Sequence, residues 1–198
     1  MEKILFIAPH LSTGGLPQYL VKKIELLKDE FEIYLIEYNN STGGKLVIQK
    51  NKILDLVDED KFFMLDDNKE ETLEIIDKIK PNIVHLEEIP EYFMNYDLAR
   101  KIYNVDRNYF IVETSHDSSF NSNHKIFFPD KFMFVSDWQI QQYKNIDIPK
   151  ILVEYPIEYQ KRLNRVKTLT KLGLDPSKKH VLHVGLFTPR KNQAEFFE

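Results

Sequence analysis

Short apolar bursts recur along this chain, and amphipathic stretches separate them. That alternation is the pattern of βα units, in which each strand is followed by a helix crossing over a parallel sheet. The first burst, Lys3–Ala8, runs Ile-Leu-Phe-Ile-Ala without a polar break, as a strand covered on both faces must. The loop Pro9–Gly15 carries a glycine pair. Leu16, Leu20, Ile24 and Leu27 then repeat at helical spacing, with Pro17 suited to a first turn. Further strands are expected at Phe31–Tyr38, Phe62–Leu65, Asn82–Leu86, Tyr109–Thr114, Lys131–Val135 and Ile151–Tyr155. Asn39–Gly44 reads as a turn, and Leu46–Ile48 as a short strand or half a hairpin. Asp67 with Glu70 reads as a capping box for a helix whose inner face is Leu73, Ile76 and Ile79. Ser136 with Gln139 reads as a second box, for a helix through Tyr143, and another helix is expected near Asn95–Tyr103. The expectation is an α/β chain with a doubly wound parallel sheet.

After Pro156 the character changes. Glu158–Leu172 is polar and rich in Lys and Arg, a helical connector; Gly173–Lys179 is a turn cluster; His180–Val184 reads as a fresh strand, and Asn192–Glu198 as the start of a helix. One strand and a helical stub cannot bury their own faces. The 198 residues exceed one core but fall short of two full α/β domains of roughly 150–200 residues each. Residues 1–157 are therefore expected as one domain, and 158–198 as a connector and the truncated opening of a second.

Composition excludes some chemistries. A net charge of −4 with no basic block argues against a nucleic-acid partner. The absence of cysteine rules out disulfides and thiolate catalysis. Pro9 and His10 break the N-terminal apolar run too early for a signal segment, and no run approaches the ~18 apolar residues of a membrane span, so a cytoplasmic location is expected. No pairing of His with carboxylates has metal-ligand spacing, so no metal is expected.

Several residues can carry chemistry. Gly14 and Gly15, between strand and helix, allow backbone N–H groups to approach a ligand, or make a plain turn; their spacing matches neither a dinucleotide fingerprint nor a phosphate loop. His116 and Asp117 follow an expected strand, where open α/β sheets bind ligands, and imidazole handles protons near neutral pH. The alternative is a loop histidine bonded to backbone. His85 reads as a packed core histidine, and His124, His180 and His183 as core or surface. Arg190 and Lys191 make either a diphosphate clamp or a solvated pair. Glu87-Glu88 and Asp58-Glu59-Asp60 read as surface faces, Trp138 and Tyr143 as packing of helix on sheet, and Lys22-Lys23 as a small basic patch for peripheral membrane contact.

These pieces, in order, resemble family 4 of the retaining glycosyltransferases, which fold as two facing Rossmann-like domains (the GT-B fold). The carriers are Ile4–Ile7 with Gly14-Gly15, Lys80-Pro81-Asn82-Ile83-Val84-His85, Thr114-Ser115-His116-Asp117, Phe134-Val135-Ser136, Tyr155-Pro156-Ile157-Glu158, and Val184-Gly185 followed by Pro189-Arg190-Lys191-Asn192. The resemblance implies an acceptor-side domain and a nucleotide-sugar domain. It places Gly14 and Gly15 near donor phosphate or acceptor, His116 of the His116-Asp117 pair against the transferred sugar, and Lys191 on the diphosphate. Leu186 stands where the family has an arginine, for which Arg190 can substitute, and Tyr155 stands where it has asparagine. The family's glutamate pair would fall beyond residue 198, so little transfer is expected of this chain alone. The implied donor is a nucleotide-diphosphate sugar, without metal or cofactor, and the acceptor a small molecule, lipid or polysaccharide. A non-enzymatic nucleotide- or sugar-binding module is the alternative; a sugar-nucleotide epimerase ranks last, because its acid and base carboxylates have no evident place.

Overall fold

The computed structural model describes residues 1–38, 47–66, 68–157, 159, 161–185 and 191–196. They form two compact units, Met1–Pro156 and Ile157–Glu198.

The first unit runs β1 (Glu2–Ala8), α1 (Gly15–Leu27), β2 (Phe31–Glu37), α2 (Ile48–Leu54), β3 (Phe62–Met64), α3 (Glu71–Ile79), β4 (Ile83–Leu86), α4 (Pro90–Phe93), α5 (Tyr96–Ile102), β5 (Phe110–Ser115), β6 (Lys131–Phe134), α6 (Asp137–Gln142) and β7 (Lys150–Leu152). The seven strands pair in parallel in the order β3-β2-β1-β4-β5-β6-β7. This is a doubly wound, Rossmann-like sheet. The order reverses between β1 and β4, and at such a reversal the connections leave in opposite directions and open a crevice at the strands' carboxyl ends.

Period-two alternation explains both layers. Leu5 and Ile7 of β1 pack on one face with Ile36, Ile75, Ile76, Ile79, Leu98 and Ile102. Ile4, Phe6 and Ala8 pack on the other with Leu16, Leu20, Ile24 and Ile53. A smaller cluster of Phe132, Phe134 and Tyr143 closes the β6 end.

Local departures have local causes. Ile48 opens a helix rather than ending a hairpin, because Ile53 and Val57 bury at helical spacing against the α1 layer. Leu46 and the Asn39–Gly44 turn lie outside the described residues, as does Asp67 of the expected capping box. α3 opens later, at Glu71, without a side-chain cap, and Asn68 donates to the Glu71 carboxylate instead. Half of the second box forms: the Ser136 hydroxyl accepts from the Gln139 backbone amide, while the Gln139 side-chain amide turns to the carbonyls of Ser115 and Asp117. Trp138 is 55 % exposed while Tyr143 is buried, so only the tyrosine packs helix on sheet. The acids Asp58–Asp60 are exposed as expected.

In the second unit α7 (Arg165–Lys171) is capped by the Asn164 side chain and ends at Gly173, whose φ is 72°. Arg165 donates to the carbonyls of Pro176 and Lys178 and fixes the turn cluster. A short α8 covers Gln193–Phe196. His180–Val184 does not form the expected strand: Val181, Leu182 and Val184 are exposed, and among the described residues no strand pairs with them. Strand pairing needs a partner for its N–H and C=O groups, which an apolar pattern alone cannot supply.

Candidate functional site at the sheet reversal

The site grows from the end of β4. The Glu87 amide donates to the Ile7 carbonyl at 2.9 Å, which carries the β1–β4 pairing one residue further. Glu87 is thereby fully buried, where the sequence reading had Glu87-Glu88 on a surface face. Its Oε1 accepts from the Lys23 ammonium at 2.6 Å. Lys23 also lies 3.2 Å from His85 Nε2 and 3.3 Å from the Thr114 hydroxyl, over the face of Tyr19. His85 Nε2 and Thr114 are 2.7 Å apart. An ammonium has donors only, so His85 Nε2 must accept, and His85 is neutral. Burial, with Lys23 beside it, pushes His85 down to about 3. Burial by itself would raise Glu87, but Lys23, His85 and His116 together hold it well below the usual carboxylate range. Glu87 is therefore a buried anion. Lys23 is no part of a basic surface patch; burial lowers it against the pull of Glu87. Lys22 pairs with Glu25.

His116 stands just past β5 on this anion. Its Nε2 is 3.3 Å from Glu87 Oε2 and its Nδ1 is 2.9 Å from the Tyr155 hydroxyl. Burial and the charges of Glu88 and Glu87 push the Tyr155 phenol up to about 12, so it stays a donor. The carboxylate thus accepts Nε2–H, and in the neutral ring Nδ1 accepts from the phenol. Tyr19 closes the side, edge-on to both rings.

Tyr155 reaches this place because Gly15 leaves room: a Cβ at Gly15 would meet the phenol oxygen at 3.0 Å. Gly14 has φ 120°, a conformation suited to glycine. Both glycines are exposed and lie at the mouth of the site. Glu37, at the end of β2, accepts from the Leu11 amide and tethers the same loop.

Glu88 does different work. Its Oε1 accepts from the Ile89 amide, and its Oε2 from the amides of His116 and Asp117 at 3.3 and 3.0 Å. Burial pushes it up to about 8 despite those donors. Gln139 Nε2 donates to the carbonyls of Ser115 and Asp117. The Asp117 carboxylate turns into the loop, where its Oδ1 accepts from the amide and hydroxyl of Ser119.

Of the residues singled out from sequence, Gly14, Gly15 and His116 converge, with Asp117 adjacent. Lys191 is exposed in the second unit, and Arg190 lies outside the described residues. His85 is packed as read, His124 is exposed, and His180 bonds the Asp175 carbonyl. Sequence reasoning missed Lys23, Glu87, Glu88 and Tyr155. A signal was present for three of them. An acidic pair directly after a buried strand sits at a carboxyl end, and Lys23 follows Tyr19 by one turn beside the apolar stripe of α1.

A parallel sheet with a buried polar cluster at its reversal defines an α/β protein of the Rossmann-like class. The chain belongs to the family described as "Pyrococcus protein of unknown function, DUF257", whose model matches residues 9–128. No curated protein matches. Among solved structures, the apo lipopolysaccharide outer core galactosyltransferase WaaB shares the fold at 16 % identity and a TM-score of 0.54, over 80 % of this chain and 47 % of that one. The chain thus spans about half of that enzyme's length. A dTDP-glucose 4,6-dehydratase from Bacillus anthracis str. Ames, in complex with NAD, is similar at 13 % identity and a TM-score of 0.40, over 77 % of this chain and 53 % of that one. No helix among the described residues is long and apolar enough to cross a membrane.

Proposed function

We propose that residues 1–156 are the acceptor-side half of a glycosyltransferase that moves a sugar, with retention, from a nucleotide-diphosphate donor to an acceptor hydroxyl. The observation that supports this reading most is His116, set between Glu87 and Tyr155 at the sheet reversal. The buried carboxylate on Nε2 holds the ring in place, and a sugar hydroxyl bonds Nδ1 by displacing the Tyr155 phenol. In the reaction the bond from the sugar's C1 to the diphosphate breaks, the acceptor oxygen bonds C1, and the acceptor proton leaves with the phosphate. Gly14 and Gly15 border the place where the acceptor would sit, and Arg190 and Lys191 would neutralise the diphosphate from a donor domain. No metal or cofactor is required in this reading.

The charge of the site favours sugar over phosphate as its direct ligand. Lys23 is consumed by Glu87, and the group left facing solvent is the phenol of Tyr155, 37 % exposed. A nucleotide-binding module is the competing reading, because sheet reversals also take nucleotides. Amide-shift titration of the chain with UDP, GDP and dTDP, and separately with free mono- and disaccharides, decides between them. The proposal expects saccharides to shift His116, Asp117 and Gly14 while nucleotides alone leave them in place. Saturable nucleotide shifts at those amides, without saccharide shifts, would replace it with the module reading. No response to either would end both.

A further inference from the structure

The loop between β5 and β6, residues 116–129, begins with His116 and is fastened at its far end by a second buried cluster. Lys125 Nζ is wholly buried. It donates to both oxygens of Glu91, at 3.1 and 2.8 Å, and to Glu113 Oε2 at 2.9 Å. Glu91 Oε1 also accepts the amides of Ile126 and Phe127. Glu113, on β5, is fully buried; its Oε2 takes the Tyr103 hydroxyl as well, at 2.8 Å, and its Oε1 has no hydrogen-bond partner among the described residues. Phe127 seals the cluster against Tyr96 and Tyr103.

The charges do not balance. One ammonium faces two carboxylates, so full ionisation buries a net negative charge beside an unsatisfied oxygen. The other groups facing Glu113 do not offset it. Glu88 adds to the repulsion, the phenols of Tyr103 and Tyr143 stay neutral, and Arg107, which acts on Tyr103, is paired with Asp130. A single proton on Glu113 balances the charge of the cluster and removes the charge from the unpartnered oxygen.

We propose that Lys125, Glu91 and Glu113 form a proton-dependent latch that holds the His116 loop closed on the sheet while Glu113 is neutral and lets it open once Glu113 ionises. Opening admits water to Glu113, so the closed form binds the extra proton and rising pH favours the open form. Burial, reinforced by Glu91 against the pull of Lys125, pushes the Glu113 carboxyl up to about 7, which puts the transition near neutrality. Lys125 is a positioning residue, acting on the site through the loop. The latch is independent of the reaction assigned to His116.

Hydrogen exchange of the full chain between pH 6 and 9, expressed as protection factors, tests this. Protection of amides 118–128, beyond the two held by Glu88, should fall above neutrality by up to about tenfold per pH unit and stay below that of the β1 amides, which report global unfolding. In E113Q the fall should vanish. In wild-type protein the Glu113 carboxyl 13C shift should titrate in step with the loss of protection, a readout that does not depend on the variant folding. Flat wild-type protection, an undiminished slope in E113Q, or a Glu113 carboxyl that titrates in the ordinary acidic range would each overturn the latch. A slope that survives in E113Q and disappears in E88Q would move the proton to Glu88 and equally refute it.

Discussion

Glu87 and Glu88 are chain neighbours, both buried, and their surroundings drive them in opposite directions. Glu87 meets an ammonium and two imidazoles and stays an anion. Glu88 meets three backbone amides and the charges of Asp117 and Glu113, and burial dominates, raising it to about 8. The difference shows that burial alone does not fix a carboxylate's charge. For Glu87 the Lys23 ammonium at hydrogen-bonding distance does, and for Glu88 three amide donors do not suffice. It also separates two tasks at one site, an anion under the imidazole and a protonatable anchor under the loop.

The largest expected effect breaks the first half of this contrast. Lys23→Met strands Glu87 in a dry site and should cost about 3–5 kcal/mol of unfolding free energy, read by urea titration. Adding Glu87→Gln to that variant should recover much of the loss. A double variant no better than the single one would show that Lys23 matters by packing and not by charge.

Next comes the pH dependence. Glu88 has its folded value above its unfolded one, so its contribution is fully present below about 4.5 and is lost as pH rises through about 8, at up to ~1.4 kcal/mol per pH unit. Glu87, lowered, has the opposite sign: its contribution is present above about 4.5 and is lost as acid protonates it. Neutral His85, held near 3, adds to the acid side, its contribution being lost as pH falls below about 6.5. Glu88→Gln should make the alkaline limb of stability against pH shallower, leaving the share of Glu113, and spare the acid limb. Equal changes in both limbs would contradict the split.

Smaller effects sharpen the geometry. Gly15→Ala places a methyl group against the Tyr155 phenol and should cost about 1–3 kcal/mol by calorimetry. Tyr155→Phe removes one hydrogen bond to His116 and should cost about 0.5–1.5 kcal/mol. If the alanine is tolerated in wild type, Tyr155 does not sit where the Gly15 contact puts it.

Much of the fold was legible because it rests on local pattern. Continuous apolar strands, the Ser136 box and the α1 stripe each announce themselves within a few residues, and all seven strands of the first unit were marked. His180–Val184 shows the limit: the same kind of burst forms no strand among the described residues. The site was legible only in part, for a related reason. His116 and the glycines could be suspected from their places after strands. Lys23, Glu87 and Tyr155 belong together only through contacts spanning 64 residues or, through His116, 39. A pair of glutamates looks like solvent-facing charge until the ammonium that balances it is seen.

Buried, ionised Glu87 sets the proton on His116. Imidazole 15N shifts of His116, recorded where the ring is neutral, read that proton. Hydrogen is expected on Nε2 in wild type, with that preference lost in Glu87→Gln and a further shift when a ligand saccharide is added. Hydrogen on Nδ1, or a tautomer balance indifferent to Glu87→Gln, would contradict it.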